Sequence, residues 1–339
     1  MARGRSVWSI DRDRDVRLDF IRVIAIFACI VGHALQTEHL DVGIHCRITM
    51  MFPDTAGLFI MASGAIILMR PVAPGWRYVW HRISTFLPEF ILFSTVYVLL
   101  DRYYGWGWPG FSLAATLERM FFTPTWSPGW FILALIGVYA VMPMMAAWVR
   151  TATRRQLEIG LILWLSATVV PVLKNFTAIN VPDSIFGTLF NYAGYMLLGY
   201  YMVRYNPAQR PLRFRVMFFA VTIGIGFVFG YFLGLSAAKW GYIDGLTRGL
   251  NLTVAMVTVA FFGAVLFMPL GWFNGLFGRV VTFLSVISLG IYCCHYLVLR
   301  YWAVPAGVNW ALASVITFAV SIPVAWGLYA LRRYVVSRL

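Results

Sequence analysis

The segment RLDFIRVIAIFACIVGHAL carries two side chains that an ordinary apolar helix does without. Arg22 is a fixed cation with a planar fork of N–H donors, suited to anions and to polarised carbonyls. His33 titrates near neutral pH and can serve as a general base or a nucleophile. The two are 11 residues apart. In a helix that spacing is roughly 1100°, three turns plus about 20°, and about 16 Å of rise. Both therefore share one face, a cation near one end and a proton acceptor near the other. The structural alternatives are a snorkelling Arg22 paired with Asp19 at i−3, and a His33 that only packs.

Three further ionisable groups fall inside apolar sequence. His295 lies in SLGIYCCHYLVL, at a depth similar to His33, where it packs or orients His33 or a bound acceptor. Glu89 follows Pro88 in HRISTFLPEFIL and is expected to neutralise an arginine, for instance Arg22, or to shape an inner entrance. Asp54 follows Pro53 and reads as interfacial. A charged group at bilayer depth costs about 2.5–3.5 kcal/mol on insertion scales, so each is a functional candidate.

The elements that hold these residues must cross a membrane. The chain of 339 residues is 61% hydrophobic and 12% charged, with mean hydropathy +0.77. Soluble domains are about 45–50% apolar and about 25% charged. Neither a water-soluble globule nor a disordered chain fits. Ten helices are expected, at 16–36, 47–70, 83–100, 129–149, 157–173, 185–204, 216–237, 249–270, 280–301 and 308–331. The fold class is thus all-α integral membrane, with both termini cytoplasmic. Tails 1–15 and 332–339 flank a single transmembrane domain, 16–331.

Charge distribution follows this alternation. With the termini inside, 19 of the 27 Lys and Arg fall on the inner side, 7 on the outer side and Arg22 within a helix. That asymmetry obeys the positive-inside rule. The net charge of +14 then reflects loops beside anionic lipid, and no nucleic-acid partner is expected. Cys29, Cys46, Cys293 and Cys294 show no CxxC spacing, so neither a disulfide framework nor a metal site is expected. The basic then apolar N-terminus reads as a retained first helix. The outer stretch 101–128 is rich in Tyr and Trp, either an aromatic belt or a stacking platform for a sugar or lipid head group.

In this order the segments resemble a known family. RLDFIRVIAIFACIVGH, with Arg22 and His33, is similar to the opening helix of the acyltransferase 3 family of bacterial membrane O-acyltransferases. GLFIMASGAIIL, HRISTFLP, WFILALIGVYAVMP, NYAGYMLLGYYM and SLGIYCCHYLVL resemble the family's later helices, and the series covers most of the chain. The closest likeness is to short members that O-acetylate polysaccharides. Longer relatives carry an extra periplasmic domain, which is not expected here.

The resemblance implies transfer of an acyl group from a cytoplasmic acyl-CoA, acetyl-CoA first, to a hydroxyl of a glycan or lipid-linked sugar. It places the protein in the bacterial cytoplasmic membrane, with no permanently bound cofactor. His33 and Arg22 become the catalytic pair, with His33 acting as general base or carrying the acyl group itself. His295, Glu89, Asp19 and Ser63 would support them. Arg82, Arg77, His81, Arg150 and Arg154 would receive the donor's phosphates. Thr85 stands where third helices of the family often have a second arginine, and Arg77 or His81 would substitute. A transporter or flippase for a lipid-linked sugar is the competing reading, although no internal symmetry supports it. A receptor or scaffold whose polar groups only pack is the third. Trp126 and Trp130 would flank the acceptor route. A Trp126→Phe, Trp130→Phe double variant is expected to bind acceptor more weakly; normal acceptor affinity in a transfer assay would remove both from the site.

Overall fold

A computed structural model describes residues 14–36, 52–70, 75–105, 114, 117–118, 127–176, 183–205, 211–240 and 252–338. Every regular element among them is helical. We number the helices α1 Val16–Gln36, α2 Thr55–Ile67, α3 Trp76–Ser84, α4 Leu87–Tyr103, α5 Trp130–Thr151, α6 Arg154–Phe176, α7 Asp183–Arg204, α8 Leu212–Trp240, α9 Leu252–Phe267, α10 Gly275–Val298 and α11 Trp310–Arg338. Among the described residues, four stretches are long and apolar enough to cross a bilayer by length and composition: Val16–Gln36, Trp130–Thr151, Gly275–Ala303 and Trp310–Tyr334. The bent pair α3 and α4 makes a fifth if it counts as one span. Large apolar side chains stand exposed along these helices, Val315, Val320, Val324 and Trp326 on α11 among them. So much exposed apolar surface suits lipid rather than water.

The chain divides into two compact units, one formed by Met1–Val72 and Met144–Val286, the other by Ala73–Pro143 and Ile287–Leu339. In the first, α2 is central and packs against α1, α7 and α9. Its 13 residues rise about 20 Å, less than the roughly 30 Å hydrocarbon core. The expected span 47–70 therefore holds a shorter helix, and its first five residues lie outside the described set. The reason is local. Pro53–Asp54 is a start signal, and Asp54 caps the helix by accepting from the Ala56 N–H at 3.1 Å. Its own N–H donates to Thr258 Oγ1 at 2.7 Å, which ties α2 to α9. Asp54 is thus a buried structural cap rather than an interfacial group.

Two glycines set the distance between α2 and α7. A Cβ on Gly64 would lie 2.2 Å from the Met196 carbonyl oxygen, and one on Gly199 would lie 2.0 Å from that of Met61. The backbones touch, as small-residue contacts in membranes allow. On another side of α7, Gly194 makes room for the Trp164 indole of α6, which also meets Tyr195 edge-on at 4.8 Å.

In the second unit, the expected helix 83–100 is two helices, α3 and α4, bent by 43° around Thr85 and Phe86. Pro88 causes the break. It lacks an N–H for the Ser84 carbonyl and its ring clashes with a straight continuation. Neighbouring carbonyls at the bend are partnered within this unit. Thr85 Oγ1 donates to the Arg82 carbonyl at 2.6 Å, and Arg332 of α11 donates to the Thr85 carbonyl.

Gly64→Ala and Gly199→Ala are each expected to destabilise the folded protein by about 1–3 kcal/mol, because backbone cannot yield to a methyl group. Gly137→Ala, with nothing within 4 Å, should be neutral or slightly stabilising. Thermal unfolding in detergent checks all three; an equal effect of the three would discard the backbone contact.

Candidate functional site

In α1 the sequence is apolar enough to run as one helix from Val16 to Gln36 without a proline or glycine break other than Gly32. Arg22 and His33 therefore keep the single-face relation expected from their spacing, about 16 Å apart along the axis. Both are partly buried. Arg22 donates from a terminal nitrogen to Ser63 Oγ at 3.4 Å, a long hydrogen bond. This explains the adjacent Ser63–Gly64 pair. Neighbouring helical positions point about 100° apart, so Ser63 reaches α1 while Gly64 admits α7.

Asp19 is buried and fully engaged. Arg14 grips it with Nε to Oδ2 at 2.6 Å and a terminal nitrogen to Oδ1 at 2.7 Å. Ser285 Oγ donates to Oδ1 at 2.7 Å. A buried carboxylate needs such donors to offset its lost hydration. Through these bonds Asp19 anchors the start of α1 to α10. Arg17 adds to this end by pairing with Asp15 and donating to the Leu266 carbonyl at 2.8 Å, near the end of α9. Phe20 meets Phe273 and Phe277 edge-on below it.

At the far end of α1, His33 Nδ1 lies 3.2 Å from Gln36 Oε1. Gln36 escaped the sequence reading. The usable signal was its i+3 position on the same helix face. With the amide oxygen accepting, Nδ1 carries the proton and the basic lone pair falls on Nε2.

The donor candidates of this first unit are at the surface. Arg154 pairs with Glu158 at 2.8 Å, and its guanidinium covers the Tyr205 ring at 5.0 Å. Tyr201 donates to the same Glu158 oxygen at 2.5 Å. Arg154 is therefore part of a clasp between α6 and α7. Arg150 is exposed.

The second unit holds the others. His295 is buried, with Nδ1 2.6 Å from the Tyr292 carbonyl. Rings of Tyr292 and Tyr296 flank it. Arg77 and His81 are exposed on α3, whereas Arg82 lies against Tyr78, with Nε to the phenol oxygen at 3.1 Å. Glu89 lies within electrostatic reach of Arg332 of α11. Arg332 was not singled out from sequence, since a basic residue near the end of a span reads as an ordinary membrane-surface charge. Trp130 is exposed at the start of α5 and meets Phe131 edge-on at 6.1 Å. Trp126 lies outside the described residues.

Helices that bury aspartate and histidine side chains while exposing apolar faces define a multi-pass membrane protein. The model of an acyltransferase domain, that of acyltransferase 3, matches residues 15–330. The chain belongs to the acyltransferase 3 family and is a membrane acyltransferase. No curated protein and no solved structure matches it.

Arg22→Lys keeps the charge but loses the fork, and is expected to lower acyl transfer at least about tenfold if planar recognition matters. A rate equal to the parent protein's, measured as thioester consumed in reconstituted vesicles, would reduce Arg22 to a point charge.

Proposed function

We propose that this protein moves an acetyl group from cytoplasmic acetyl-CoA to a hydroxyl of a cell-envelope glycan or lipid-linked sugar beyond the membrane. The observation that carries the reading is the unbroken run of α1, which gives Arg22 and His33 one face over about 16 Å. Coenzyme A is polyanionic and confined to the cytoplasm, and the inner loops are the arginine-rich ones. Arg77, His81, Arg82 and Arg150 are the candidates to meet its phosphates; Arg154 is held by Glu158 and ranks behind them. Sidedness has internal support. Along α4, Arg332 meets Thr85 at one end and Arg300 meets Asp101 at the other, and the loop charges put the first pair inside and the second outside.

In this mechanism Arg22 draws the polar thioester arm into the bundle, and the arm runs along the face that Arg22 shares with His33, so that its carbonyl carbon lies beside His33. Ser63 holds the guanidinium to that side of α2. His33 Nε2 takes the proton of the acceptor hydroxyl. The alcohol oxygen forms a bond to the carbonyl carbon, the carbon–sulfur bond breaks, and the leaving thiolate takes a proton back from the imidazolium. Gln36 holds the tautomer that makes Nε2 basic. His295 and Glu89 are supporting groups of the second unit, and Asp19 keeps α1 in place.

His33→Ala is expected to abolish acetyl-CoA consumption while leaving expression and membrane insertion unchanged. The check is thioester hydrolysis in reconstituted vesicles, together with mass spectrometry of envelope glycans for the lost acyl mass. Sugar movement across vesicles without thioester cleavage would replace the reading with a transporter.

A further inference from the structure

One end of the second unit carries a construction that acyl transfer does not use. Asp101, buried at the end of α4, pairs with Arg300 at 2.9 Å and accepts from the Tyr301 hydroxyl at 2.6 Å, both at Oδ1. Tyr301 stacks on Tyr104, with ring centres 5.4 Å apart and planes 29° apart. Tyr103 stands at 90° to Tyr104, with centres 5.2 Å apart. Tyr103 is 82% exposed and Tyr104 47% exposed. The rings thus form an exposed right-angled corner, braced from behind by the half-buried Asp101–Arg300 ion pair.

The backbone here is irregular as well. Leu299–Ala303 is a π turn, closed by the Val304 N–H donating to the Leu299 carbonyl at 3.0 Å. Pro305, two residues beyond it, has no N–H for the Tyr301 carbonyl and gives the irregular turn a local cause. Such bulges recur at functional sites because they re-aim consecutive side chains. This one sets Arg300 against Asp101 and brings Tyr301 under Tyr104.

We propose that Tyr103 and Tyr104, backed by Tyr301, form a stacking platform for one sugar ring of the acceptor. The inference deepens the function above and rests on its glycan acceptor. A sugar ring has an apolar C–H face and a rim of hydroxyls. It needs a flat aromatic wall, an edge to fix its rotation and charged groups for the rim. The corner supplies the first two, and Arg300 and Arg102, on the outer side by loop charge, supply the third. An aromatic belt at a membrane interface needs only amphipathic rings. It does not need a buried carboxylate that holds one ring so that this ring can hold another. Rings fixed before binding lose little entropy when a ligand arrives.

The test uses the full-length protein in nanodiscs with acetyl-CoA as donor. The acceptor probe is base-deacylated envelope polysaccharide from the source cells. Tyr103→Ala and Tyr104→Ala are expected to raise acceptor KM about tenfold while leaving donor KM and thermal unfolding unchanged. Tyr104→Phe should retain the parent acceptor KM, because stacking survives loss of the hydroxyl. An unchanged acceptor KM in Tyr103→Ala, whose ring is too exposed to matter for folding, overturns the platform. So does a loss of membrane yield in the alanine variants with acceptor KM unchanged, which would mark a belt. Failure of the underlying reading looks different: the parent protein consumes no thioester with any polysaccharide. Direct binding of the same polysaccharide to the parent and to Tyr103→Ala then decides the platform, and equal affinity overturns it.

Discussion

Backbone contact between α2 and α7 is the constraint on which the first unit depends. With no water to expel between helices in lipid, association comes from packing, interhelical hydrogen bonds and lipid entropy, and packing is closest where no side chain intervenes. Gly64 and Gly199 put carbonyl oxygens where side chains would otherwise stand. Once α2 is fixed against α7, its next face must meet α1, and the residue on that face is Ser63. The arginine bond of α1 is thus a consequence of a glycine contact on the opposite flank. The polar groups follow the same logic at each depth. One carboxylate oxygen of Asp54 is met by a helix start, Asp19 is held by Arg14 and Ser285, and Arg17 by a helix-end carbonyl.

Helical class and the single face of Arg22 and His33 were legible in the sequence, because both rest on periodicity and composition alone. Long charge-free runs announce helices, and 11 residues is close to three turns whatever surrounds them. Helix limits were less legible. The stretch 47–70 is mostly apolar, and the capping chemistry of Asp54 starts its helix at Thr55. The stretch 83–100 hides a bend that Pro88 announces but does not dimension.

Partners distant in sequence were the least legible part of the candidate site. Ser285 for Asp19, Arg332 for Glu89 and Thr85, and Arg300 for Asp101 are each separated by about 200 residues or more from the group they serve. No local pattern encodes such pairs. The near partners, Gln36 and Glu158, were accessible in principle from i+3 and i+4 spacing. The paired tyrosines show the same divide: the aromatic stretch from residue 101 stood out, but its brace at Arg300 and Tyr301 did not.

The bend between α3 and α4 has a consequence for how the chain is made. Its open carbonyl at Thr85 receives its donor from α11, some 250 residues later in synthesis. The end of α4 likewise waits for Arg300 before Asp101 has a counter-ion. During translation the early helices of the second unit must therefore sit beside the translocon with an unfinished kink and an uncompensated acid. Only the arrival of the final two helices closes both ends. Termination between Val286 and Arg332 would thus strand a half-built second unit with exposed polar groups, a target for quality-control proteolysis, after every residue of the first unit has been made.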